Sequence, residues 1–157
     1  MFQPFFEWCE GLAVSQAYRE SLWLFAVTQS LHLVAITTFV GAILIVDLRL
    51  LGWGVVRQSR AAIARLAQPI LLWAGLAVLA TGIPQFTANA LTYYRSPMFV
   101  FKMWLLVAAV VFTATLRRRV ADADEGRVPP WVPRAVGAVS LALWIGVTIS
   151  GRLITYY

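Results

Sequence analysis

The chain has one histidine, His32, inside a run without a charged side chain from Ser21 to Val46. An imidazole carries a proton on one ring nitrogen and a lone pair on the other. It can ligate a metal, relay a proton or hold a hydrogen bond. Thr28 stands one helical turn before His32 on the same face. Thr81, Gln85 and Asn89 recur every fourth residue, which predicts a polar stripe along one helix face. Lys102 and Arg152 are lone cations inside apolar surroundings. Groups of this kind are expensive in hydrocarbon and are functional candidates by default.

The segments that must position these groups read as membrane helices. Hydrophobic residues make up 61% of the chain and charged residues 13%; a soluble domain is about 25% charged. A bilayer core of ~30 Å takes about 20 helical residues. Four apolar stretches meet that length, over about residues 21–50, 66–89, 97–119 and 134–154. The expected fold is an all-α membrane protein, a four transmembrane helix bundle forming one domain over 1–157, with a short N-terminal interfacial helix. In that N-terminal stretch Phe5, Trp8, Cys9 and Leu12 share a helical face, while Glu7, Glu10 and Glu20 make it too polar to span. Pro69 falls in the first turn of the second helix, where its missing N–H is harmless, and Pro84 predicts a kink. Val128-Pro-Pro-Trp-Val-Pro133 predicts a rigid entry to the fourth helix, with Trp131 at the interface. No basic n-region opens the chain, so no signal peptide is expected.

Charge sets the expected topology. Arg49, Arg57, Arg60, Arg65, Arg117, Arg118, Arg119, Arg127 and Arg134 fall at one end of the helices, and Arg19, Arg95, Lys102 and Arg152 at the other. The positive-inside rule assigns the larger group to the cytoplasm. The expectation is a multi-pass protein of a bacterial inner membrane with both termini periplasmic. His32 then lies ~16 Å down its helix from the outer side, at 1.5 Å per residue. Lys102 sits about one turn inside the third helix, and Arg152 at the outer end of the fourth. All four helices thus offer polar groups, including Thr28, His32, Gln85, Lys102 and Arg152, to one outward-facing inner site. Asp47 and Arg49 are expected as interfacial anchors, with a pairing to another loop open.

Donor chemistry bounds what such a site holds. A histidine in a bundle can ligate haem iron, and anionic propionates nearer the interface would meet Lys102, Arg152 or Arg95. Gly41, Gly75, Gly82, Ala108, Ala109, Gly137 and Gly146 leave room for a planar cofactor or for close helix packing. The competing roles for His32 are a structural hydrogen bond to Thr28, Gln85 or a carbonyl, and a proton relay. Met98 and Met103 do not share a face well, so with Cys9 and His32 they form a thin copper donor set. One histidine and one cysteine cannot build a four-ligand zinc site. A lone cysteine excludes an intrachain disulfide. Paired intramembrane carboxylates, a nucleophile elbow and a phosphate loop are absent from the sequence. The net charge of +6 sits at helix ends, which points to topology and not to nucleic acid.

Ser30-Leu-His-Leu-Val-Ala, followed by Phe39-Val-Gly41 and Asp47-Leu-Arg-Leu-Leu-Gly52, resembles the first helix of a broad bacterial group. That group holds the copper-resistance D membrane domain, related uncharacterised four-helix membrane proteins, and the four-helix membrane protoporphyrinogen oxidase. Phe99-Val-Phe-Lys-Met-Trp-Leu-Leu106 is similar to the group's third-helix opening, and Gly151-Arg-Leu-Ile154 to the ending of its uncharacterised branch. The resemblance implies haem b binding, because a first-helix histidine and a third-helix lysine serve haem and activity in the oxidase branch. His32 and Lys102 occupy those positions. The chain departs from that branch after the first helix, where Asp47-Leu-Arg-Leu-Leu-Gly-Trp53 replaces an aromatic and a second histidine. Bis-histidine ligation within one chain is thereby excluded. Met98, Met103, a neutral Lys102, water or a partner chain are the options for a sixth iron ligand.

The first expected function is a haem b-binding membrane redox protein, or an electron-transfer subunit of a larger membrane complex. His32 would be the metal ligand, with Thr28, Gln85, Lys102 and Arg152 around the cofactor. Its partners would be the lipid bilayer, further copies or other membrane subunits, and quinone or a periplasmic redox protein. Any enzymatic role would be that of a haem-dependent oxidoreductase. The rival expectations are transport or handling of a metal ion or small solute, and a structural or assembly subunit without cofactor.

Overall fold

The computed structural model describes residues 3–54, 57–123, 126 and 128–153, without the side chain of Arg152. Arg127, Ile154 and the Arg152 side chain, named above, lie outside the described residues. Two short helices open the chain, α1 (Gln3–Gly11) and α2 (Ala13–Glu20). The first long helix, α3 (Leu22–Leu51), is followed by α4 (Arg60–Ala88), a short α5 (Ala90–Arg95) and α6 (Pro97–Phe112). A π-helical turn (Thr113–Arg117) joins α6 to α7 (Arg118–Asp122), and α8 (Trp131–Leu153) ends the described chain. Four helices are long and apolar enough to cross a membrane: α3, α4, the continuous α6–α7 rod and α8.

Local chemistry sets the helix ends. Ser21, Ser59 and Ser96 each cap a long helix, their hydroxyls accepting from Leu24, Ala62 and Phe99 N–H groups. Pro97 follows at the first helical position, where no N–H is needed. Gly52, at φ 84°, stops α3, and the Trp53 N–H returns to the Leu48 carbonyl at 2.8 Å. The cap at Ser59 starts α4 at Arg60, before the apolar run near residue 66 from which its start was expected. Likewise α8 begins at Trp131, because Pro133 is tolerated in a first turn. The N-terminal segment is two helices and not one. Leu12 is extended (φ −63°, ψ 140°) and breaks the shared face. Cys9 is buried while Phe5 and Trp8 point outwards.

The molecule is apolar outside and small or polar inside. Leu22, Trp23, Trp73 and Trp104 are each more than 70% exposed, whereas Ala35, Ala42, Ala74 and Ala109 are buried. This inversion suits hydrocarbon as the surrounding solvent, so the chain is an all-α, multi-pass membrane protein. Backbones approach closely along α3–α4, α3–α8 and α6–α8, while α4 and α6 make next to no close backbone contact. Gly137 lets α8 come down on α3, since a Cβ there would stand 3.0 Å from the Asp47 carbonyl oxygen.

Two apolar clusters fill the basic half. One joins Val46, Leu50, Ile63, Ala67, Val120, Ala121 and Val136 from α3, α4, α7 and α8. The other joins Ile43, Ala109 and Trp144, with Phe39 and Leu106 packed against them. Phe39 and Trp144 meet edge to face at 5.1 Å, and Trp144 Nε1 donates to the Thr113 hydroxyl at 3.1 Å. Beside these clusters lies a buried ion pair. Arg117 Nε donates to Asp47 Oδ1 at 2.5 Å and Arg117 Nη2 to the Ile43 carbonyl at 3.1 Å. Asp47 is fully buried and Arg117 is 4% exposed. The π turn inserts an extra residue, which rotates the following side chains by about 100° relative to an α-helix. The turn ends on Arg117 itself. Asp47, expected with Arg49 as an interfacial anchor, is therefore buried inside the bundle, and Arg117 is not part of an exposed basic run.

A buried pair of this kind tolerates joint replacement by apolar residues and does not tolerate loss of one partner. Asp47→Leu alone is expected to cost about 3–5 kcal/mol. Asp47→Leu with Arg117→Met should recover most of that loss. Thermal unfolding in detergent, followed by circular dichroism, checks it; an unchanged midpoint for Asp47→Leu contradicts the assignment.

Candidate functional site

His32 lies half-buried on α3 with its ring against α4. Its Nδ1 stands 2.7 Å from Thr81 Oγ1. The Thr81 hydroxyl has one proton, and it donates to the Ala77 carbonyl one turn back at 2.6 Å. With that proton directed to Ala77, Thr81 Oγ1 accepts from His32, an arrangement that places the ring proton on Nδ1. Nε2 then carries the lone pair. Fixing one ring nitrogen by a second-shell hydrogen bond is how proteins set the tautomer of a ligating histidine. Gly82 makes the approach feasible, because a Cβ there would stand 3.1 Å from His32 Cε1.

Across the bundle, Lys102 projects from α6 onto α8, where a Cβ on Gly151 would lie 3.3 Å from Nζ. The Lys102 ammonium and the His32 ring are close enough for their charges to interact. Lys102 is half-buried, and its ammonium has no hydrogen-bond acceptor or ion-pair partner among the described residues. His32 Nε2 likewise has no protein partner there. Both residues are half-buried within spanning helices, where an ammonium without a partner is costly and a ligand would recover that cost.

This level is bounded above and below. Its floor is the Phe39–Trp144 pair with Leu106. Its roof is aromatic: Phe86 stacks on Phe99 at 5.6 Å, Tyr93 on Phe99 at 5.0 Å, and Phe6 of α1 lies 4.7 Å from Tyr94. Polar bonds latch α1 and α2 over that roof. Arg19 donates to the Ala88 carbonyl at 3.0 Å and to the Glu10 carbonyl at 2.8 Å, and the Glu10 carboxylate accepts the Leu91 N–H at 2.8 Å. Burial pushes the Tyr18 and Tyr93 phenols upward in pKa, with Tyr93 adding to the effect on Tyr18, so both stay neutral at neutral pH. The cap thus brings no phenolate charge to the site.

Of the residues expected to meet here, His32 packs on α4 at Thr81 and Gly82 and Lys102 on α8 at Gly151, with no bond joining the two among the described residues. Thr28 faces the Tyr18 phenol instead and makes no bond to His32. Gln85 turns back on its own helix, donating to the Thr81 carbonyl at 3.2 Å. Asn89 lies past the end of α4 and is exposed, so the polar stripe is shorter than its spacing suggested. The residues missed are Thr81 as the histidine's partner, Gly82 as the gap the ring fills, and the Asp47–Arg117 pair. The last had a signal: Asp47 is the carboxylate that closes the first spanning run at the end where Arg117, Arg118 and Arg119 close the third. Among the described residues no three His, Cys, Asp or Glu side chains cluster, so a bare metal ion finds no cage there.

The tautomer is directly checkable, since labelling histidine with 15N marks a single ring. The expected spectrum has protonated Nδ1 and unprotonated Nε2 at neutral pH. Thr81→Val should release that proton to either nitrogen. A wild-type ring protonated at Nε2 contradicts the hydrogen-bond assignment.

No curated protein and no solved structure matches the chain. One family model does match, over residues 5–157, and its description is a family of unknown function, DUF6644. That span is nearly the whole chain, so this protein belongs to the DUF6644 family.

Proposed function

We propose that this chain is a haem b-binding integral membrane redox protein, acting as an electron-transfer subunit in a bacterial inner membrane. The observation that carries the proposal is a half-buried His32 bonded through Nδ1 to Thr81, with its Nε2 and the Lys102 ammonium both without a partner among the described residues. The donor set fits haem. A neutral imidazole nitrogen is an axial ligand, and an ammonium suits a propionate. Gly82 and Gly151 let the His32 ring and the Lys102 chain pack directly against α4 and α8. The scant contact between α4 and α6 favours a planar group from the membrane side.

In this proposal His32 Nε2 would hold the iron, and Thr81 would keep the ring oriented and raise its basicity through Nδ1–H. Lys102 neutralises a propionate, with Arg152 next in sequence to the Gly151 that Lys102 touches. Haem b, when bound, supplies reversible one-electron chemistry. The Phe39–Trp144 floor keeps water and ions from crossing to the basic half. The basic excess at the end holding Arg60 and Arg134 persists without the buried Arg117, which supports a cytoplasmic assignment for that end and periplasmic termini. The partners would be quinone or a periplasmic redox protein.

A second proposal, handling of a small solute, draws on a different observation. Polar groups stand on both sides of the Phe39–Trp144 layer, His32 and Lys102 on one and Asp47, Arg117 and Ser140 on the other. One spectrum separates the two. Protein expressed with ample haem and purified in detergent should show a Soret band that His32→Ala abolishes, and Thr81→Val should weaken haem retention about 10–100-fold. Wild-type protein without a Soret band would leave solute handling as the better account.

A further inference from the structure

We propose that a pocket at the basic end of the bundle binds the phosphate of an anionic phospholipid headgroup. The pocket is about 570 Å³ and is lined by Arg49 at the end of α3, Arg60 at the start of α4 and Arg134 in the first turn of α8. Three guanidiniums from three spanning helices therefore meet in one concave surface. Arg60 is 8% exposed, so the cation is built into the fold and is not a solvated surface charge. Arg49 is braced by a 2.7 Å bond from Nε to the Gln58 carbonyl. Asp124, Glu125 and Arg127 flank the pocket's Gly126 in sequence and lie outside the described residues.

Depth selects a lipid over a soluble anion. Trp53, one residue past the pocket's Gly52, and Trp131, beside its Pro130, are 68% and 67% exposed. Exposed tryptophans at helix ends mark the headgroup level. Leu50, Pro129 and Pro130 line the same pocket and give an apolar wall to the glycerol end of a lipid. Guanidinium forks match phosphate oxygens, and basic pockets between spanning helices are known headgroup sites. This proposal does not depend on the cofactor at His32.

The test uses the full chain in bicelles of equal phosphatidylglycerol and phosphatidylcholine, with bound lipid counted by native mass spectrometry. Wild-type protein should retain phosphatidylglycerol in preference. Arg134→Gln, at an exposed position, should lower that retention about fivefold, near the worth of one basic residue at an anionic surface. Adding Arg60→Gln should lower it further. Arg118→Gln, exposed at the same end but outside the pocket, should leave it unchanged. Equal retention of the two lipids, or an equal loss from Arg118→Gln, would overturn the proposal. So would displacement of the lipid by millimolar inorganic phosphate, which would make the pocket a soluble-anion site.

Discussion

Hydrocarbon offers no hydrogen bonds, so every polar group inside this bundle has to find a partner within the protein or on a ligand. Most do. Thr37, Thr38, Thr115 and Thr148 donate back to the carbonyl four residues earlier on their own helices. Asp47 and Arg117 neutralise each other where α3 meets the end of α6, and the fully buried Ser140 stands beside the same carboxylate. Trp144 spends its N–H on Thr113. Among the described residues the buried Tyr18 hydroxyl, Asp47 Oδ2 and Ser140 hydroxyl have no hydrogen-bond partner, and neither do the half-buried His32 Nε2 and Lys102 Nζ at the outer level of the bundle.

That level differs from the rest of the interior. Below it, apolar side chains from all the spanning segments interlock around Ile43, Val46 and Trp144. Above it, stacked aromatics and the latched α1–α2 pair close the outer end. Between them α4 and α6 part company, since α6 leans on α8 and α4 leans on α3. His32 and Lys102 lie at this level, between the Phe39–Trp144 floor and the aromatic roof.

Much of this was legible in the sequence. Four apolar stretches of spanning length fix the number of long helices, because no other local pattern survives in lipid. His32 and Lys102 stand out by rarity and depth alone. What stayed hidden depends on rotation about helix axes and on contacts between helices. Thr28 and Thr81 are equally good histidine partners on paper, and only the α3–α4 packing at Gly82 decides for Thr81. Arg117 was indistinguishable from Arg118 and Arg119 in a basic run, because a π turn has no sequence signature of comparable strength. The start of α4 came early because the Ser59 cap outranks the apolar run in deciding where a helix begins. The break at Leu12 is likewise a tertiary choice, made where Cys9 and Tyr18 bury against the bundle.

A lone histidine makes the central claim unusually open to attack. Pulsed electron paramagnetic resonance on the ferric protein, with 15N placed only in histidine, reads whether an imidazole nitrogen is bonded to the iron. The account predicts one strongly coupled histidine nitrogen per haem, lost in His32→Ala. Haem bound with no histidine coupling at all would contradict it.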